Sequence, residues 1–331
     1  MKNEESKLKK VNNYIIQSPP IAIGDNSKIY KGWKEASPQD MYAIKCIDAV
    51  KFEQMIDLIS NEIASAKLYR STGCIIDYQD TQKSKKNYYI FYKYYDSITL
   101  DEMISETSKE LEYNLKLEIA KKILILINTM HEYCIMHRNL NPMHILISKE
   151  SNNILFCGVK SMYCFHDKYP FDEISIEPYK APEIELSSEE KPYNEKVDIF
   201  SYGIILYKLF VRNTNDIPLR KLDLESLTGL SSQIRELISC CLNMNPEKRL
   251  SAKDLLQRKY LEPIITQYID PSSPSKKSDL FPYEIIIDKL GSGSFGVVHK
   301  VKNAQNGKIY AMKVIKRESL KNGKAKELVH G

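Results

Sequence analysis

Three glycines and a lysine near the C-terminal end are the residues best suited to chemistry. Residues 290–298 read Leu290, Gly291, Ser292, Gly293, Ser294, Phe295, Gly296, Val297, Val298. Glycines at this spacing let backbone N–H groups come close to phosphate oxygens, where a Cβ would intrude. Ala311, Met312 and Lys313 follow on a strand-like run, and Lys313 would bring a point charge to the same phosphates. The glycine pattern alone also suits a plain hairpin turn; joined to the lysine it is specific. A weaker copy lies upstream, where Gly24 and Asn26 precede Tyr42, Ala43, Ile44 and Lys45. Glycine and lysine are 21 residues apart in the first copy and 22 in the second.

Both copies need strands to hold them. Short β-type runs occur at Tyr14–Ile16, Ile29–Tyr30 and Met41–Ile44, and again at Tyr283–Ile287, Val297–Val301 and Ile309–Ile315. Tyr88 to Tyr95 is aromatic-rich and predicts a further strand. Met55, Ile56, Ile59, Ile63 and Ala66 recur every three or four residues, which predicts a helix over 50–69. Ile119, Ile123, Ile127 and Met130 mark a long helix to about Cys134. Ile199, Tyr202, Ile205 and Leu209 mark another. A strand-rich part is followed by a helix-rich part, an α+β pattern.

The chain has 331 residues, 43% hydrophobic and 27% charged, with a net charge of +5. That composition excludes disorder as the main state and allows a sizeable core. The excess charge is spread out, so it makes no case for nucleic acid. Seven cysteines, with no CxxC or Cys/His ligand spacing, argue against a disulfide framework or a zinc site and for reduced thiols. No secretory signal opens the chain, and no apolar run is long enough to span a bilayer. The expected location is cytoplasmic.

Residues 12–262 resemble a whole protein kinase domain, and residues 282–331 resemble the truncated start of a second one, of Ser/Thr type. The resemblance rests on blocks in the family's order: Tyr42 to Lys45, Glu62 as partner of Lys45, Tyr92 at the gatekeeper place, His137 to Leu146 as the catalytic loop, and Ile154 to Gly158 as the metal-binding segment. Ala181, Pro182 and Glu183, then Asp198, then Asn245 to Arg249 complete it. It implies a bilobal α+β fold, with a β-rich N-lobe, an α-helical C-lobe and a partial second N-lobe sheet. The expected division is a flexible N-terminus over 1–11, the kinase-like domain over 12–262, a Pro/Ser/Lys linker over 263–281 and the second start over 282–331. In that second start Leu290, Gly291, Gly293, Ser294, Phe295, Gly296, Val298, Ala311 and Lys313 would contact ATP. In the first, Lys45, Glu62, Ile29, Ala43 and Leu146 would form a degenerate ATP site; the last three are equally well read as ordinary core.

The first domain departs from the family where chemistry is done. Its glycine loop has Asn26 for the second glycine and lacks the third. Asn139 replaces the catalytic aspartate, and loss of such a base costs ~10²–10⁴ in rate. Asn141 replaces the loop lysine, His144 the metal-holding asparagine and Phe156 the metal-binding aspartate. Phenylalanine cannot ligate Mg²⁺, which needs hard oxygen donors. The resemblance therefore implies a pseudokinase, with ATP as a candidate ligand, no Mg²⁺ in the first domain and no phosphotransfer from the chain as given. Glu183 and Arg249 are expected to form a structural ion pair. Ala66 and Cys157 are small for the regulatory stack they share with His137, which predicts a loosely held active-like alignment. Ser161, Tyr163, Tyr169 and Ser175 fall in the activation segment, more simply an exposed loop than modification sites. His131, His166 and His299 read as surface or packing residues.

The expected role is that of a regulator or scaffold. Its partners would be other proteins, a kinase or the rest of its own second kinase domain among them, and neither nucleic acid nor membrane. The alternative is the front of a tandem Ser/Thr kinase, which requires more chain after Gly331.

Overall fold

Alternating burial builds the first sheet. Along the strand that carries Lys45, Tyr42 and Ile44 are buried while Ala43 and Lys45 stay partly exposed, the two-residue period of a pleated strand. The structure, a computed structural model, describes residues 7–24, 26–106, 111–165, 168–170, 172, 174–211, 230–258, 260–261, 264–267, 283–293, 296–303 and 309–315. Two compact units are present, Met1–Leu111 with Ile119–Leu222 and Glu236–Arg258, and Glu112–Glu118 with Asp223–Arg235 and Lys259–Gly331. Of residues 12–262, expected as one domain, 112–118, 223–235 and 259–262 fall in the second unit.

In the first unit, β1 (Leu8–Val11), β2 (Tyr14–Ile23), β3 (Lys28–Lys34) and β4 (Ser37–Asp48) lead to two short helices, α1 (Ala49–Gln54) and α2 (Ile56–Tyr69). Then come β5 (Tyr78–Lys83) and β6 (Asn87–Lys93). The six strands form one sheet in the order β1-β2-β3-β4-β6-β5. Residues 8–11, expected to be flexible, are instead a strand: Val11 is buried and β1 pairs antiparallel with β2. The apolar face of the sheet needs that cover. Val11, Tyr14, Ile16, Tyr42, Ile44 and Phe91 form a buried cluster there, with the Tyr14 and Phe91 rings stacked at 3.9 Å. The single helix expected over 50–69 breaks at Met55, whose φ of −120° is not helical. The Asp48 side chain caps α1 by accepting from the Val50 N–H.

The helical lobe follows. β7 (Ser97–Thr99), α3 (Leu100–Glu106), α4 (Tyr113–Glu132), β8 (Ile135–Met136), β9 (Ile145–Ser148), β10 (Ile154–Phe156) and β11 (Tyr163–Cys164) come first. Then come α5 (Pro182–Glu185), α6 (Lys196–Phe210), α7 (Ser232–Cys241) and α8 (Ala252–Gln257). Ile119, Ile123, Ile127 and Met130 are all buried, as their spacing predicts. α6 is apolar and buried almost all round, so it forms the middle of this lobe. The Tyr202 hydroxyl donates to the Ala120 carbonyl at 2.9 Å and ties α6 to α4. Ser251 and Asp254 form a reciprocal capping box that starts α8. A strand-rich lobe followed by a helical lobe is the bilobal α+β architecture.

In the second unit, β12 (Ile264–Gln267), β13 (Tyr283–Gly293), β14 (Gly296–Asn303) and β15 (Ile309–Ile315) form a sheet in the order β12-β15-β14-β13. β13, β14 and β15 pair antiparallel; β12 runs parallel to β15. Residues 264–267 were expected to be linker, yet β15 has a free edge that their backbone groups satisfy. The remainder of 263–281 lies outside the described residues, as do residues 1–6 and 316–331.

Candidate functional site

Lys45 and Glu62 meet between β4 and α2. The Lys45 Nζ lies 2.6 and 2.8 Å from the two Glu62 carboxylate oxygens. A third group joins them from β6. The Tyr92 hydroxyl, in the strand beside β4, donates to Glu62 Oε1 at 2.7 Å. Burial and the neighbouring Glu62 hold the Tyr92 phenol well above its usual pKa, so it stays a donor. The small Ala66 and Cys157 predicted a loose alignment. The structure differs because Tyr92 supplies a fixing bond. The sequence held a signal for it, since a phenol on a buried strand needs a partner.

The loop between β8 and β9 is fixed from below by Asp198 of α6. The Asp198 carboxylate accepts from the backbone N–H of His137 (2.7 Å) and of Arg138 (2.8 Å), and His131 Nε2 lies 3.0 Å away. Burial pushes the Asp198 pKa up, but hydrogen bonds and the nearby histidines outweigh it and leave the acid below its usual value. His131 is therefore a half-buried packing partner of Asp198, the second of the two readings its sequence allowed, and no spacing in the sequence announces that partner. Arg138, held at φ +66°, donates to the Ser161 carbonyl at 2.6 Å, to Tyr193 at 3.2 Å and to Asp172 at 2.6 Å. It pins the activation segment to the loop. Ser161 is fully buried there, so the exposed-loop expectation fails at that residue. Glu183 and Arg249 form a two-pronged ion pair at 2.5 and 3.1 Å, with Arg249 also donating to the carbonyls of Lys196 and Asn243.

The four altered positions serve the loop's own structure. Asn141 Oδ1 accepts from the Met143 N–H and caps a short 3-10 turn, while its amide donates to the Asn139 carbonyl. His144 Nδ1 lies 2.8 Å from that same carbonyl and 3.0 Å from the Asn141 amide nitrogen. Burial, with His137 nearby, pulls the His144 pKa down to about 4, so the ring is neutral near pH 7. A Cβ on Gly158, which sits at φ +75°, would come within 2.7 Å of that ring. Phe156 is fully buried, with its ring edge-on to His137 at 5.7 Å. Cys157 lies near Lys45 and Glu62, and burial pushes its thiol up to about 12, so it is no thiolate.

A divalent metal does not fit this floor. Among the described residues no group of three His, Cys, Asp or Glu side chains could hold a metal ion. Phe156 offers no ligand, and the His144 Nδ1 already has the Asn139 carbonyl and the Asn141 amide as neighbours. Ile29 pairs directly with Lys45 across β3 and β4, and Ala43 stands two residues before it, so all three share one face of the sheet. Leu146 is on β9, between the buried Ile145 and Ile147 and pointing the other way.

In the second unit only the backbone frame is described for the motif. Gly291 pairs with Val298, Gly293 with Gly296, Val298 with Lys313 and Lys300 with Ala311. Leu290 precedes Gly291 on β13. Ser294 and Phe295 lie outside the described residues.

Residues 17–261 match the protein kinase domain family. A relative in Dictyostelium discoideum, the serine/threonine-protein kinase atg1, is 27% identical over 272 residues, covering 77% of this chain and 40% of its own. Mouse serine/threonine-protein kinase PAK 1 is 25% identical over 255 residues, 73% of this chain and 45% of its own. A probable inactive serine/threonine-protein kinase of Dictyostelium discoideum is 27% identical over 187 residues, 50% of this chain and 15% of its own. The chain spans less than half the length of these relatives. No helix among the described residues is long and apolar enough to cross a membrane.

Proposed function

Because the chain belongs to the protein kinase family, we propose that its first domain keeps the kinase shape for a non-catalytic use, as a regulator or scaffold acting on other proteins. One observation carries this reading: the floor of the cleft has no carboxylate where a base and a metal ligand are needed. Asn139, His144 and Phe156 occupy those places, and the one carboxylate beside Lys45 is Glu62, already bonded to Lys45 and Tyr92. An amide cannot accept the proton of an attacking hydroxyl, and Mg²⁺ is central to neutralising a transferring phosphoryl group. ATP would be held, if at all, by Lys45 and the face bearing Ile29 and Ala43, without metal. The fixed elements, meanwhile, are those that set shape: the Lys45–Glu62–Tyr92 cluster, the Asp198-held loop and the Glu183–Arg249 pair.

The test is phosphotransfer from labelled ATP to a generic protein substrate by residues 1–331, with Mg²⁺ and with Mn²⁺. The expected result is none above background. Transfer that disappears in Lys45→Ala would sink the reading.

A second reading has its own observation. Val298 lies opposite Lys313 as Ile29 lies opposite Lys45, and here the glycine motif is intact. The second sheet would then open an ATP-dependent Ser/Thr kinase domain completed by further chain. A longer polypeptide whose kinase activity survives Lys45→Ala and is lost in Lys313→Ala would support it. Activity independent of Lys313 would end it.

A further inference from the structure

The cleft face of the first sheet is not its only concave face. A cavity of about 370 Å³ opens on the opposite side, the side on which Cys46 rather than Lys45 points. Its floor is Ile16, Tyr30, Cys46 and Tyr89, of which Ile16 and Tyr89 are buried. Three lysines from three elements stand around it: Lys9 of β1, Lys28 of β3 and Lys51 of α1. Asp48 is the single acidic residue of the lining among the described residues, and its Oδ1 is taken by the Val50 N–H. Lys9 Nζ donates to the Tyr89 hydroxyl at 3.0 Å and keeps two further protons to give. That bond, more than the opposing effect of burial, raises the Lys9 pKa. Lys28 and Lys51 are exposed and meet no carboxylate among the described residues. Ser18, Ser27 and Asn87 add polar groups to the wall.

We propose that this cavity binds a phosphate monoester of small size, the phosphate among the three lysines and an apolar body over Tyr30 and Ile16. The charge decides the class. Among the described lining residues three ammonium groups against one carboxylate leave two positive charges, which a monoester matches with its nearly two negative charges at neutral pH. Its three acceptor oxygens suit a wall rich in donors. A divalent cation is excluded by the lone carboxylate. The volume is at the lower end for small-molecule sites, which fits a single phosphorylated group rather than an extended ligand. The hairpin residues Gly24, Asn26 and Ser27 also line this cavity. This site is separate from the phosphotransfer question, and either proposal can fail alone.

The experiment is calorimetric titration of the whole chain with phenyl phosphate, with phenol as the uncharged control, at two salt concentrations. Binding is expected for phenyl phosphate and not for phenol, weakening as salt rises. The double variant Lys28→Glu with Lys51→Glu, both on exposed positions, should weaken it at least tenfold. Amide exchange should show protection over residues 8–18 and 46–51. No binding at millimolar phenyl phosphate, equal binding in the double variant, or protection confined to Glu62 and Leu146 would overturn the proposal. A phosphotyrosine peptide in a parallel titration separates the sources. Tighter binding than phenyl phosphate assigns the site to a phosphorylated protein segment, and weaker binding assigns it to a free metabolite.

Discussion

The two sheets share a frame and differ in what the frame carries. In both, a hairpin leads into a strand bearing alanine and lysine, and the register across that strand is the same: Ile29 opposite Lys45 and Lys31 opposite Ala43 in the first, Val298 opposite Lys313 and Lys300 opposite Ala311 in the second. They diverge at the tip. The first hairpin closes at Ile23 and Lys28 around four residues, whereas the second closes at Gly293 and Gly296 around two. They diverge again beyond the lysine strand, where β4 is followed by the antiparallel β6 with its Tyr92, and β15 by the short parallel β12. The difference teaches that one strand register can carry different groups at its tip. The first sheet has the register with Asn26 in its hairpin; the second has the register with Gly291, Gly293 and Gly296.

The largest effect should come from unfastening the first domain below its sheet. Arg249 is fully buried against Glu183, so Arg249→Ala leaves a carboxylate without its partner. Breaking such a pair costs about 3–5 kcal/mol. Urea unfolding followed by amide exchange should show the first sheet losing protection early, with residues 283–303 unchanged. Equal loss in both sheets would mean that the two regions fold as one, and the comparison would break.

Next is an acid limb belonging to the first domain. His144 has a folded pKa of about 4 against an ordinary 6.5, so between those values the unfolded chain binds a proton that the folded chain refuses. Its contribution is complete above pH 6.5 and is lost as pH falls toward 4, in total roughly 3 kcal/mol. His137, whose pKa burial also lowers, acts in the same direction. Denaturant melts at pH 4.5 and 7 should therefore differ, and His144→Asn should shrink the difference by more than half. An unchanged difference would remove His144 as its source.

Smaller again is the bond the first sheet has through β6. Tyr92→Phe removes one hydrogen bond to a charged acceptor, worth ~1.5–3 kcal/mol. Lys45→Ala with Tyr92 intact should leave α2 docked, since Tyr92 still holds Glu62. Exchange rates over 56–69 check this. Fast exchange in Lys45→Ala alone would show that the lysine, not the phenol, fixes α2.

The frame was legible because it rests on periodicity. A short β-type run placed β4, and the 3.6 period placed α4 and α6. The ordered blocks from Lys45 to Arg249 located the cleft. What escaped was whatever depends on contacts remote in sequence. Leu8 to Val11 look like charged tail until the bare face of Tyr14 and Phe91 is seen to need a lid. His131 reads as a surface or packing residue until α6 brings Asp198 beneath it. Ile264 to Gln267 read as linker because nothing local marks a strand; the demand comes from the edge of β15. The helix over 50–69 broke at Met55 even though its apolar spacing continues, because spacing reports a face and not backbone continuity.

The smallest expected effect tests whether the first hairpin still uses its glycine. The Gly24 N–H donates to the Ser27 carbonyl, and a Cβ on Gly24 would meet nothing nearer than the Ser27 hydroxyl at 3.7 Å. That is ordinary contact, so Gly24→Ala should change stability by no more than about 0.5 kcal/mol. Gly158 is the internal contrast. There a Cβ meets the His144 ring at a left-handed φ, and Gly158→Ala should cost several times more. Thermal melts of the two variants side by side decide it. A large loss at Gly24 would mean that its turn is strained in solution, and the first hairpin would then be closer to the second than their different closures suggest.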